Sequence, residues 1–434
     1  MAFADARRIA QDSAPAVEEL VSLCSELMFE PAEYAGAALA KTTLASYTGL
    51  SAQERAQFFA ILAEEFSPRR TEVALAATRY LADPCVGSLK TLQEAIESPR
   101  QELFRRLNMA PGGTVALVEM RRILLQGLRT NPSYAVIEHD LHHLLRSWFN
   151  RGFLRLARID WHTSAIVLEK LIRYEAVHAI HGWQDLHRRL EEDRRCFAFF
   201  HPQLADEPII FIEVALTDCL TDKVQPLLDV DRPIAPAKDA RCAIFYSITN
   251  CQAGLRGISF GNLLIKQVVE ELKKEFPHLE SFATISPVPG FRRWLLESRN
   301  VLAKAFGEER TSELMVAMDN VVPLSNAADD TLMQLCAHYL LREKRGAEPL
   351  DPVARFHLGN GAALERINWL GDSSREGISR SGGITVNYVY DLSVVADNHR
   401  RYFQEHAVVA SEAVYDLAVQ CSLSDIHQTN LSRT

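Results

Sequence analysis

The feature that most constrains this chain is a change of apolar period near residue 150. Before it, the segments 10–27, 33–46, 52–66, 70–81, 99–107, 113–128 and 133–148 carry apolar residues three or four positions apart, which is the spacing of one helix face. Ser67-Pro68, Ala110-Pro111-Gly112-Gly113 and Asn131-Pro132 punctuate them, and such pairs break helices. Ser51 and Glu54 have capping-box spacing, in which each side chain bonds the other's backbone N–H. After Gly152 the pattern shortens. Residues 209–216 and 243–248 are compact apolar runs rich in β-branched side chains, with 281–285 and 384–390 as further candidates. Runs of that length and composition read as buried strands. The chain is therefore expected to be a two-domain α+β protein: an all-α helical bundle over 1–150, then a mixed α/β domain over 151–434.

Composition narrows the function classes. Forty-seven lysines and arginines stand against 56 aspartates and glutamates, a net charge of -9, the wrong sign for a general nucleic-acid binder. No apolar run approaches the ~18 residues of a membrane span. The first residues lack a basic stretch followed by an apolar one, as a secretory leader would have, and Leu431-Ser432-Arg433-Thr434 is no peroxisomal address. A cytoplasmic protein with neither nucleic-acid nor membrane partners is expected. The eight cysteines form no C-x-x-C pair, so reduced, structural thiols are expected rather than a zinc site.

The stretch from Cys242 to Trp294 holds the most chemistry. A strand ends near Thr249, a loop with Gly254, Gly257 and Gly261 follows, then an amphipathic helix, with Glu270 and Lys274 expected to pair at i,i+4 on its polar face, that Pro277 stops, then a strand that stops at Ser286-Pro287-Val288-Pro289-Gly290-Phe291. A glycine loop opening a helix aims unpaired N–H groups at one spot, where phosphate binds. The spacing is neither G-x-G-x-x-G nor a P-loop, because Asn262-Leu263 stands where Lys-Ser/Thr is needed. Ser286, at the carboxyl end of the next strand, would face a ligand held there.

The string Arg256-Gly257-x-x-x-Gly261-x-x-Leu264-Ile265 resembles the pyrophosphate-binding loop of the GNAT acyltransferase superfamily, with Ser259 in place of its middle glycine. A wider set of strings resembles the malonyl-CoA decarboxylase family. Among them are Glu175-Ala176-Val177-His178, Arg194-Arg195-Cys196, Phe245-Tyr246-Ser247-Ile248, Ser286-Pro287-x-Pro289-Gly290-Phe291, Pro352-Val353-Ala354-x-Phe356-His357-Leu358 and Asn387-Tyr388-x-Tyr390. The resemblance runs from about 152 to 390.

It implies a GNAT-like second domain that converts malonyl-CoA to acetyl-CoA and carbon dioxide through a thioester enolate, with no metal or organic cofactor. Ser286 would orient and polarise the malonyl group, and His357 would supply the proton to the α-carbon. Arg256, Gly257, Ile258, Ser259, Phe260, Gly261 and Asn262 would hold the coenzyme A pyrophosphate. Tyr390 would line the malonyl pocket. The helical half would assemble a homo-oligomer, a tetramer. Two other readings fit the same loop: an acyltransferase moving an acyl group to an amine, and a non-catalytic acyl-CoA sensor.

Three clusters compete for attention. His139, His142 and His143, beside Asp140, have helical spacing suited to a metal, and His178 and His181 repeat it. In neither does the glutamate of H-E-x-x-H follow the first histidine, so no metal is expected. Arg188, Arg189, Arg194 and Arg195 are interrupted by acidic residues and read as a solvated face.

Overall fold

The structure, a computed structural model, describes residues 14–31, 33–258, 264–319, 326–421 and 423. It divides into two compact units.

The first unit comprises the chain to Arg155 with Phe200–Ile209 and Asn250–Phe260. Its helices are α1 (Pro15–Phe29), α2 (Glu33–Gly49), α3 (Ala52–Glu64), α4 (Arg70–Ala82), α5 (Val86–Ile96), α6 (Pro99–Asn108), α7 (Gly113–Gly127) and α8 (Tyr134–Trp148). The helical expectation holds, and the Ser51–Glu54 capping box is present. Val17, Leu20 and Cys24 of α1, Phe58, Phe59 and Leu62 of α3, and Ile137, Leu141 and Leu145 of α8 are all buried. Asp140 leaves the histidines beside it and enters this core. It accepts from Ser98 Oγ (2.7 Å), Arg100 Nε (2.9 Å) and Gln101 Nε2 (2.9 Å). Helix α5 was not foreseen, because Gly87 and a short polar stretch blur its period. Cys85 and Ser88 cap its start. Helices α4 and α5 bury only Ala76 and Ser88, respectively, and expose Leu75, Leu81, Val86 and Ile96.

The second unit comprises Leu156–Phe199, Ile210–Thr249 and Gly261–Thr434. An eight-stranded sheet runs β1-β2-β3-β4-β5-β10-β6, with β9 also on β10. The strands are β1 (Arg155–Ile159), β2 (Arg194–Phe200), β3 (Pro208–Thr217), β4 (Cys242–Asn250), β5 (Ser281–Thr284), β6 (Ser286–Pro287), β9 (Ala363–Asn368) and β10 (Thr385–Val389). All four expected strands are among them. Strands β4 and β5 are parallel, pairing Cys242 with Ser281 through Phe245 with Thr284, and helix α12 (Leu264–Glu275) lies between them in sequence. That is the expected strand–loop–helix–strand unit. Past Thr284 the two chains part: β4 continues to Asn250, whereas Ser286 and Pro287 pair antiparallel with Val386 and Thr385 of β10. The fork places Ser286.

Two local expectations fail. Glu270 and Lys274 do not pair with each other; Lys274 bonds Glu271 at 2.7 Å and Glu270 meets Lys266 at 3.8 Å. The arginine cluster is not a solvated face. Arg188, Arg189, Arg194 and Arg195 are all buried. Arg188 grips Asp193 with two bonds (2.6 and 2.9 Å), Arg189 binds Asp185 and Glu213, and Arg195 binds Glu275. Each carboxylate offsets the cost of a buried guanidinium, which is prohibitive unpaired.

Candidate active site

Ser286 sits at the mouth of the fork because Pro287 and Pro289 stiffen the chain beyond it and Gly290 allows a close approach. A Cβ on Gly290 would fall 2.0 Å from the Tyr339 hydroxyl. His357 rides in the last turn of helix α17 (Pro352–Gly359). That helix starts where it does because Asp351 caps it and Pro352 occupies its first position, a residue suited to N1 by its fixed φ. It ends before Gly361, whose φ of +85° and tight fit against the Val395 carbonyl oxygen (2.2 Å from an added Cβ) require glycine.

The structure brings Ser286, His357 and Tyr390 together. Ser286 Oγ lies 3.1 Å from His357 Nε2, and His357 Nδ1 lies 2.8 Å from the Tyr390 hydroxyl. Ser286 Oγ also donates to Thr284 Oγ1 at 2.9 Å. With that hydrogen spent, the hydrogen between Ser286 and His357 must come from Nε2, and Nδ1 must accept from Tyr390. This orders one chain, Tyr390 to His357 to Ser286 to Thr284, and sets the imidazole tautomer. The Tyr388 ring stacks on the imidazole at 4.6 Å and 23°, and Tyr390 meets it edge-on.

All five side chains are buried. Burial pushes the His357 imidazole down to about 3 and the Tyr388 and Tyr390 phenols well up. At neutral pH the site thus holds a neutral imidazole and un-ionised phenols. A buried, uncharged donor pair can stabilise a developing oxyanion without water competing for it.

Thr284 and Tyr388 were missed. The signal for both is period two, since Thr284 shares a strand face with Ser286 and Tyr388 with Tyr390.

The glycine loop is described only in its first part. Ser259, Phe260, Gly261 and Asn262 lie outside the described residues. Arg256 and Gly257 are exposed and Ile258 is buried. Gly257 has φ +80°, so its residue type is required. The approach to the loop is pinned by a residue that sequence reasoning overlooked. Arg121 of α7, almost wholly buried, donates to the Gly254 (2.6 Å) and Arg256 (2.9 Å) carbonyl oxygens and to Glu138. Gly254 permits this, because its Cβ would lie 1.9 Å from the Val118 carbonyl oxygen.

Among the described residues no group of three or more His, Cys, Asp or Glu side chains is placed to hold a metal, and no helix is long and apolar enough to cross a membrane. None of the eight cysteines, all of them among the described residues, is part of a disulfide. A cavity of about 510 Å³ is lined by His178, Asp185, Arg189, Ser374 and Glu376, among others, and by none of Ser286, His357 or Tyr390.

Comparison with known proteins resolves the class first. Residues 66–149 match the family model described as the malonyl-CoA decarboxylase N-terminal domain, and residues 152–429 match its C-terminal domain. The fold and the matched families define a decarboxylase, a carboxy-lyase. The crystal structure of malonyl-CoA decarboxylase from Rhodopseudomonas palustris is 46% identical with a TM-score of 0.85, covering 92% of this chain and 98% of that one. The one from Agrobacterium vitis is 44% identical with a TM-score of 0.86, covering 92% and 99%. The mitochondrial malonyl-CoA decarboxylase of Rattus norvegicus is 34% identical over 412 residues, 86% of this chain and 84% of the relative. The chain belongs to the malonyl-CoA decarboxylase family.

Proposed function

We propose that this chain converts malonyl-CoA to acetyl-CoA and carbon dioxide. The observation that carries the reading is the buried chain Thr284–Ser286–His357–Tyr390 in a member of this family. The bond between the malonyl carboxylate carbon and the α-carbon breaks, and its electron pair moves onto the thioester as an enolate. With substrate bound, the Ser286 hydroxyl turns from Thr284 to the malonyl group, and the His357 Nε2–H turns from Ser286 to the developing oxyanion. Carbon dioxide leaves, and the Nε2 proton of His357 passes to the α-carbon while Nδ1 takes the proton of the Tyr390 hydroxyl, so the ring stays neutral; solvent then returns a proton to Tyr390. Arg256, Gly257, Ile258, Ser259, Phe260, Gly261 and Asn262 bind the coenzyme A pyrophosphate, with Arg121 bracing the start of that loop. No metal or organic cofactor takes part.

Residues 1–150 form the assembly domain and 151–434 the catalytic domain. The apolar side chains exposed on α4 and α5 support self-association to a homotetramer, which light scattering of the purified chain tests; a monomeric mass would overturn it. The chain works in the cytoplasm, and its recovery in a membrane-bounded compartment would count against that. Malonyl-CoA incubated with the protein in deuterium oxide tests the reaction. Acetyl-CoA carrying one deuterium supports the enolate route. Acetyl-CoA consumption that depends on an added amine would favour an acyltransferase instead, and malonyl-CoA bound without turnover would favour a sensor.

A further inference from the structure

Ser286 and His357 stand 71 positions apart in sequence yet hold a 3.1 Å contact, so something must fix their two segments against each other. Asp351 is fully buried. One of its carboxylate oxygens, Oδ1, accepts from the Val353 and Ala354 N–H groups at 2.9 Å each, capping the helix that carries His357. The other, Oδ2, accepts from the Gly290 N–H at 3.2 Å, at the end of the turn that begins with Ser286. One carboxylate is therefore divided between the two segments that bear the pair. The turn approaches closely enough to use it only because residue 290 has no side chain: an added Cβ would meet the Tyr339 hydroxyl at 2.0 Å and Asp351 Oδ2 at 3.3 Å.

We propose that Asp351 is a positioning residue for the reaction, a clamp that sets the distance between Ser286 and His357 by holding the serine turn and the histidine helix on one carboxylate. A cap alone needs a single oxygen, and serine or asparagine serves as well as aspartate. The second oxygen, turned onto another segment, is what a cap does not require. The proposal rests on the assignment of Ser286 and His357 to the chemistry.

Two variants separate clamping from capping. In Asp351→Asn the amide oxygen can still accept from the helix N–H groups, but its NH₂ then faces the Gly290 N–H, donor against donor. In Asp351→Ser the hydroxyl caps the helix and is too short to reach Gly290. Both variants are assayed for kcat and KM with malonyl-CoA, melted, and rebuilt in a Ser286→Ala background. The expected result is a kcat lowered about 10- to 100-fold, as a displacement of roughly 1 Å would produce, with KM changed less than about threefold and folding retained. In the Ser286→Ala background the Asp351→Asn change should cost less than about threefold more, because the contact it serves is already gone.

Parental kcat in both Asp351 variants, with Ser286→Ala and His357→Ala impaired, overturns the clamp alone. An equal loss from Asp351→Asn with and without Ser286 also overturns it. Parental rates in Ser286→Ala and His357→Ala overturn the assignment of the pair itself, and the clamp with it.

Discussion

Replacing Tyr390 with phenylalanine removes one hydroxyl and keeps the ring that packs edge-on against His357 and Phe245. The lost group is the donor 2.8 Å from His357 Nδ1, in a site where both residues are 3% exposed, so water cannot readily replace it. A buried acceptor left without a partner costs about 1–3 kcal/mol. Part of that appears as lost stability. The rest appears in the reaction, because Nδ1 is now free to take the ring proton and leave Nε2 without one to give to the α-carbon. At tenfold per ~1.4 kcal/mol, kcat should fall by up to roughly 150-fold, the limit reached if the reaction takes the whole cost. KM should stay within about threefold, since the coenzyme A portion of the substrate is untouched. Acetyl-CoA formation at saturating malonyl-CoA measures the first effect and urea unfolding the second. A Tyr390→Phe enzyme with parental kcat and parental stability would refute the directed chain from Tyr390 to Ser286, leaving Tyr390 as a packing residue.

Other outcomes follow from the same geometry. His357 takes its proton near pH 3 when folded and near 6.5 when unfolded, so its contribution to stability is full above about 6.5 and drains away as pH falls toward the folded value. Urea unfolding of the parent and His357→Gln between pH 7 and pH 4.5 should show the parent losing about 1.4 kcal/mol per pH unit relative to the variant below ~6.5; parallel curves would contradict a neutral buried imidazole. Asp140→Ala strands Arg100, whose side chain is only 4% exposed, and should lower unfolding free energy by about 3–5 kcal/mol; a loss under ~1 kcal/mol would deny that pair its structural weight.

Much of this architecture was legible, and the rest was hidden for identifiable reasons. Period-3.6 patterning exposed the helical half. β-branched runs exposed the strands whose residues are mostly apolar, such as β3 and β4. Strands β2 and β9 escaped because their charged and polar residues are satisfied by distant partners. Arg194 and Arg195 of β2 reach Leu227 O and Glu275, and Arg366 and Asn368 of β9 reach Asn387. A buried charge reads as exposed until its partner is found, and partners lie far off in sequence. The arginine cluster misled for the same cause.

The candidate site divides similarly. Ser286 and His357 came from the family resemblance. Its place at the end of a strand marks Ser286 only as facing a ligand, and nothing in spacing marks His357. That Tyr390 would meet His357 through its hydroxyl and that Asp351 would divide its oxygens between two segments are facts of tertiary contact. No local pattern in the sequence encodes them.

The central claim is that Ser286 and His357 carry out decarboxylation of malonyl-CoA. The most direct test is the rate of acetyl-CoA release from malonyl-CoA by metal-stripped parent, Ser286→Ala and His357→Ala proteins, each first shown to be folded and to bind coenzyme A. The account expects turnover by the parent and a loss of about 100-fold or more in each variant, the scale at which proton transfer and oxyanion stabilisation act. Parental rates in both variants, or malonyl-CoA bound by the parent and never converted, would contradict it.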